Sequence, residues 1–174
     1  MSYDQAFDFV VGSEGGELDL NPSDTGNWTG GSVGVGRLEG SKWGVSSAAY
    51  PHVNIAALTR DDAKAIYKRD YWDHISGDAL PPRLAYVSFD AAVNNGVDRA
   101  SKWLQGAVGA SPVDGVVGPG TIAAARKSPE IPSIIAFNAA RTYFMGCLNA
   151  WKTEPGWATR LATIPFNALS ITGN

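Results

Sequence analysis

The chain has 174 residues, 44% of them apolar and 18% charged, enough to bury one core without disulfide staples. Fourteen Lys and Arg against seventeen Asp and Glu leave a formal charge of -3, which supplies no general attraction to nucleic acid or to an acidic membrane. Disordered, collagen-like and coiled-coil classes are excluded as well, because no repeat, charge block or sustained heptad is present.

The first element is a helix from Tyr3 to Ser13, since Tyr3, Phe7, Val10 and Val11 recur at helical spacing. Glu14 extends that stripe, so the same period turns its carboxyl inward, and Gly15-Gly16 is expected to stop the helix. Residues 12–44 then hold ten of the twenty glycines together with Asn21-Pro22-Ser23-Asp24, which predicts a long irregular region or a small β-hairpin. Thr59 and Asp62 form a capping box ahead of Ala63, Ile66 and Tyr67.

Pro81-Pro82 opens the next helix, with Leu84, Ala85, Val87, Ser88, Ala91 and Ala92 inside, and Asn94-Asn95-Gly96 closes it. Helices over 100–108 and 118–127 flank the turn Pro112-Val113-Asp114-Gly115. A last stretch, 131–151, carries Phe137, Ala140, Phe144, Leu148 and Trp151 as an apolar stripe and is expected to be the central helix. The fold class is mainly α. Charge divides unevenly, with a net -5 over 1–87 and +2 over 88–174.

Few chemistries survive this inventory. Cys147 stands alone, so no intramolecular disulfide or multi-cysteine metal site can form, and its place in an apolar stripe predicts a buried thiol. His52 and His74 are isolated, which argues against a zinc site, and serine-elbow and phosphate-loop motifs are missing. No metal and no cofactor is expected. No apolar run is long enough for a membrane span, and the first residues carry no secretory signal pattern.

Carboxylates remain. Glycoside hydrolysis needs a proton donor for the leaving oxygen and usually a second carboxylate. Glu14 suits the donor role, because an inward face favours its protonated form, and the glycines beside it leave room for a sugar ring. The competing use of Glu14 is a solvated helix-end carboxylate.

The blocks Glu14-Gly15-Gly16, Asn21 to Gly31 and Lys42-Trp43-Gly44-Val45-Ser46 resemble glycoside hydrolase family 108, the N-acetylmuramidase endolysins of phages and related bacterial secretion-activator proteins. Later blocks follow in order: Ala65 to Trp72, Phe89 to Gly96, Leu104-Gln105, and Asp114 to Thr121. The resemblance implies a lysozyme-like α fold and cleavage of the β-1,4 bond from N-acetylmuramic acid to N-acetylglucosamine in peptidoglycan. It makes Glu14 catalytic.

Asp24 is the second-carboxylate candidate, placed as in phage lysozymes where a hairpin brings an Asp opposite the helix-end Glu; a loop-ordering use competes. Ser41 stands where the family commonly has Thr and could hold a water. Glu17, Asp19 and Glu39 read as solvated loop charges, with Glu17 or Glu39 in reserve. Trp43 and Tyr50 are candidate sugar-stacking rings, with Trp28 and Trp72 also weighed and core packing favoured for Trp72. Asn94 and Asn95 are candidates for hydrogen bonds to the substrate, or else a helix cap.

The expected organisation is one lysozyme-like domain over 1–174, with a catalytic half at 1–88 and a helical half at 89–174 resembling a peptidoglycan-binding segment. The Asp114 to Thr121 run also reads simply as a turn plus a helix start. A lytic transglycosylase and a non-catalytic wall-binding or secretion-accessory module are the alternatives. The expected setting is a monomer made in the host bacterial cytoplasm, without a signal peptide, and admitted to the wall by a factor such as a holin.

Overall fold

The computed structural model describes residues 1–12, 16–148 and 155–171. Its helices are α1 (Tyr3–Val10), α2 (Arg60–Tyr67), α3 (Pro82–Asn95), α4 (Val97–Val108), α5 (Pro119–Lys127), α6 (Glu130–Gly146) and α7 (Pro155–Ser170). One antiparallel pair, β1 (Ser41–Lys42) and β2 (Val45–Ser46), forms the sheet. This mainly α architecture with a small hairpin agrees with the lysozyme-like class implied by the sequence. The chain divides into two compact units, residues 7–67 and residues 1–6 with 68–174.

In the 7–67 unit, α1 ends earlier than the periodicity indicated. Val11 N–H still bonds the Phe7 carbonyl, and Gly12 then takes φ +75°, a left-handed stop that side chains disfavour. The hairpin turns tightly at Trp43-Gly44, with φ +53° and +72°, so both central residues have the positive φ of a two-residue type I′ connection. Its register pairs Ser41 with Ser46 and Lys42 with Val45. A side chain at Gly44 would collide with the Tyr67 hydroxyl.

The rest of the Gly-rich region closes on polar pins rather than strands. Asn27 is fully buried; its amide donates to the Asn21 carbonyl at 3.1 Å and to Asp19 Oδ2 at 3.3 Å. Its own carbonyl accepts from Glu39 and Gly40. Such bonds replace the ladder that glycine-rich backbone does not sustain. The capping box forms as expected: Thr59 N–H donates to Asp62 Oδ2 at 3.0 Å, and Asp62 N–H donates to Thr59 Oγ1 at 3.1 Å.

In the other unit, α3 is the central helix. Every residue from Leu84 to Ala92 is buried, so the helix is covered on all sides by its neighbours, among them α4, α6 and α7. This corrects the expectation for the last stretch. On α6 the buried face is Ser133, Ile134, Phe137, Arg141 and Met145, whereas Ala140 is exposed; Trp151 lies outside the described residues. Apolar composition did not reveal that α6 has one free side. Cys147, expected inside, is exposed just past the α6 end.

Tyr3, Trp72 and Phe89 pack ring to ring at 5.4–5.8 Å, and Trp72 is buried, as core packing predicts. At the heart of this unit, the buried Asp90 accepts from Arg141 at 2.5 Å and from Arg160 Nε at 2.8 Å, linking α3 to α6 and α7.

Candidate active site

The sequence blocks around Glu14 converge in the 7–67 unit. Glu14 itself lies outside the described residues. The described part of α1 runs from Tyr3 to Val10. Two residues on, Gly16 lies against the Trp43 indole: a Cβ built there would sit 2.8–2.9 Å from the ring carbons. No side chain fits between them.

Trp43 is therefore held from one side by Gly16 and from another by Arg60, whose guanidinium is 5.9 Å from the indole and 5.1 Å from the Phe7 ring. Asp8 fixes Arg60 through a 2.5 Å ion pair. Trp43 remains half-buried at positive φ, a conformation that costs about 1 kcal/mol or more in a non-glycine residue. Arg60 has no motif signal in the sequence. It is one exposed-looking residue after a capping threonine, and only the fold brings it over two rings 17 and 53 positions earlier.

Asp24 is exposed, and its Oδ1 accepts from Gly26 N–H at 2.8 Å, capping the short helical turn Thr25–Asn27. The loop-ordering use is thus visible in the structure. Gly26 ties this turn to the hairpin, because its carbonyl accepts from Ala48 N–H at 3.0 Å and Ser47 Oγ at 3.4 Å. Ser41 exchanges backbone bonds with Asp19, leaving its half-exposed hydroxyl as a side-chain donor or acceptor. Tyr50 follows β2, its N–H bonded to the Ser46 carbonyl, with the ring half-buried. Gly16, the Asp24 turn, Ser41, Trp43 and Tyr50 all belong to this unit.

Asn94 and Asn95 belong to the other unit. Asn94 donates its amide to the Asp90 carbonyl at 2.7 Å, one turn back on α3, and Asn95 Oδ1 accepts from Arg141 Nε at 2.8 Å. Gly96 at φ +88° ends the helix beside them. Among the described residues no group of three His, Cys, Asp or Glu side chains could hold a metal.

A sequence profile described as Glycosyl hydrolase 108 matches residues 7–96. The chain belongs to glycosyl hydrolase family 108. A solved structure titled "Structure of Brucella abortus SagA" is similar to it, with a TM-score of 0.76 and 29% sequence identity over 97% of this chain and 94% of that one. No curated protein matches the chain.

The family match covers every block from Glu14 to Gly96 and ends at the close of α3. Beyond it, the Leu104-Gln105 and Asp114 to Thr121 blocks form a latch. The buried Gln105 amide donates to Asp114 Oδ1 at 2.8 Å and to the Val116 carbonyl at 3.1 Å, while its oxygen accepts from Gly115 N–H at 2.9 Å. The amide of Gln105 holds the Asp114 carboxyl below the usual aspartate range, helped by Val116 N–H. In this glycosyl hydrolase 108 chain, that later motif has a structural use: it fastens the α4–α5 loop.

Proposed function

We propose that the chain is an endolysin-type N-acetylmuramidase. Membership of a glycosyl hydrolase family supports the reaction class. The observation that carries the reading is the contact of Gly16 with the Trp43 ring, which joins the Glu14-Gly15-Gly16 block to the Lys42 to Ser46 block inside one unit. In the proposed reaction, protonated Glu14 donates to the glycosidic oxygen as the bond from the muramic acid anomeric carbon breaks.

Asp24 then stabilises the oxocarbenium charge or activates the incoming water, which Ser41 helps to hold. Water adds to the anomeric carbon, its spare proton returns to a carboxylate, and the N-acetylglucosamine hydroxyl leaves. Trp43 and Tyr50 supply ring faces for sugars. Residues 1–88 carry the chemistry, and 89–174 contribute wall contact. We place the enzyme's synthesis in the bacterial cytoplasm and its action at the wall, reached through a membrane lesion.

Digestion of purified sacculi tests this. Wild-type protein should release muropeptides with reducing ends, and Glu14→Gln should lower that release by about a thousandfold or more while still sedimenting with walls. Products with 1,6-anhydro ends would replace hydrolysis with transglycosylation. Unchanged lysis by the variant would remove Glu14 from the mechanism.

A further inference from the structure

The 7–67 unit contains a groove of about 660 Å³ that the proposed chemistry does not use. Leu18, Leu20, Leu38 and Ile55 give it an aliphatic lining, and His52 and Asn54 add polar groups to it. The origin of that lining is local. Asp19 is bridged to Ser41 and turns its carboxylate to the Asn27 amide, so the alternating neighbours Leu18 and Leu20 fall on the opposite side of an extended segment. Gly40, at φ +83°, lets both leucines close down: a Cβ there would meet Leu20 at 2.9 Å and Leu18 at 3.0 Å.

At the rim stand Arg37 and Glu39. Arg37 spends its Nε on Glu39 Oε1 at 2.6 Å, and its side chain is 72% exposed, so the terminal nitrogens of its fork are open to solvent and to a further anion. Among the described residues no Phe, Tyr or Trp lines the groove. Sugar rings are gripped by aromatic faces, and the candidate sugar-stacking rings of this unit, Trp43 and Tyr50, do not line it. An aliphatic lining with a guanidinium on one rim fits short aliphatic side chains followed by a carboxylate.

We infer that this groove binds the peptide stem of peptidoglycan, a short chain of alanines and free carboxylates, separately from the glycan. The inference rests on the muramidase reading for the identity of the polymer. The methyl groups of alanine pack on the leucine lining, and a stem carboxylate takes the open fork of Arg37. Leu20 is 47% exposed in the absence of such a ligand, an apolar surface that the occupant would cover.

Two measurements on the whole chain decide it. Amide NMR titration with the tripeptide L-Ala-γ-D-Glu-L-Lys should shift Leu18, Leu20, Leu38 and Ile55, and amidation of its carboxylates should weaken binding about tenfold. Chitotetraose should leave those residues unmoved. In kinetics on soluble uncrosslinked peptidoglycan strands, Arg37→Gln and Leu20→Ser should each raise KM about fivefold to tenfold with kcat retained, and should match wild type on strands stripped of peptide by an amidase.

Equal effects on both substrates, no effect on the peptide-bearing one, or groove shifts with chitotetraose in place of the tripeptide would each overturn the inference. If wild-type protein cleaves neither substrate, the muramidase reading fails and the titration alone judges the groove. Both substituted side chains are solvent-exposed, so the variants keep the fold, and their circular dichroism should equal that of wild type.

Discussion

Between Phe7 and Tyr67 the chain is closed by hydrogen bonds from side chains to backbone and by glycines against which other groups press. From Lys68 onward it is closed by apolar helix faces around α3 and one buried ionic cluster. In the first unit, Gly16, Gly40 and Gly44 each touch atoms that a methyl group would displace. In the second, Gly106, Gly118, Gly120 and Gly146, on the helices, have open space where a Cβ would go, while Gly77 against Trp72 and Gly115 against Asp98 are the tight exceptions in its loops. Backbone clearance thus shapes the contacts of Gly16, Gly40 and Gly44 in the loop-rich unit, whereas the helices of the other unit close by side-chain packing and leave their own glycines open. Precision in a loop lobe has to come from what is left out of the side chains.

The largest test of the contrast lies in the helical unit. Asp90→Ala leaves Arg141, 1% exposed, without its carboxylate, and should cost about 3–5 kcal/mol in urea unfolding. A loss under about 1 kcal/mol would place the cluster with ordinary surface pairs and remove it from the comparison. Burial already presses the Arg141 guanidinium below its ordinary value, with Asp90 opposing that shift.

Next comes one substitution with opposite signs in the two units. Gly16→Ala should destabilise by about 1–3 kcal/mol, because the Trp43 ring has to move, and Trp43→Ala in the same chain should recover part of the loss. Gly106→Ala, on the open side of α4, should stabilise by about 0.5–1 kcal/mol. Thermal melts of the three variants check it. The same sign at both positions would erase the distinction.

The smallest effect is in acid. The Thr59 hydroxyl and then its N–H hold the Asp62 carboxyl below the usual aspartate range. A depressed folded value means that the stabilisation is full above the unfolded value, about 3.9, and is lost as pH falls through the folded one. Asp62→Asn should therefore lower the melting temperature at about pH 7 and converge on wild type near pH 2. A gap that persists in acid would show that the cap works through shape alone. Asp114, depressed by Gln105, is the counterpart in the helical unit and should behave alike.

Much of the fold was legible because it is locally encoded. The Thr59 and Asp62 cap, the Pro81-Pro82 start and the Gly96 stop each depend on residues within a turn of one another, and each forms where expected. The hairpin was legible as an option and settled at its far end, where Trp43-Gly44 makes the tighter turn. The choice of α3 over α6 as the central helix was not legible. Both are apolar, and periodicity records how residues are spread around one helix, not how many neighbours cover it.

At the site, motif order pointed to Glu14, Asp24 and Trp43. Arg60 carries no such mark, and Asn27, although inside the Asn21 to Gly31 block, had no role assigned to it there. Their roles depend on partners elsewhere in the fold, and a lone arginine or asparagine reads as surface until those partners are known.

By itself, the sequence determined the mainly α class, the cap of α2 and the start and stop of α3, and, through ordered motif blocks, membership of glycosyl hydrolase 108. Those depend on local dihedral preference and on residue order, which a linear string preserves. Only the tertiary structure decided that Gly16 is a seat for an indole, that Leu18 and Leu20 share a groove with Arg37, and that Asp90 joins three helices. Each of these is a contact between distant residues, fixed by packing and desolvation.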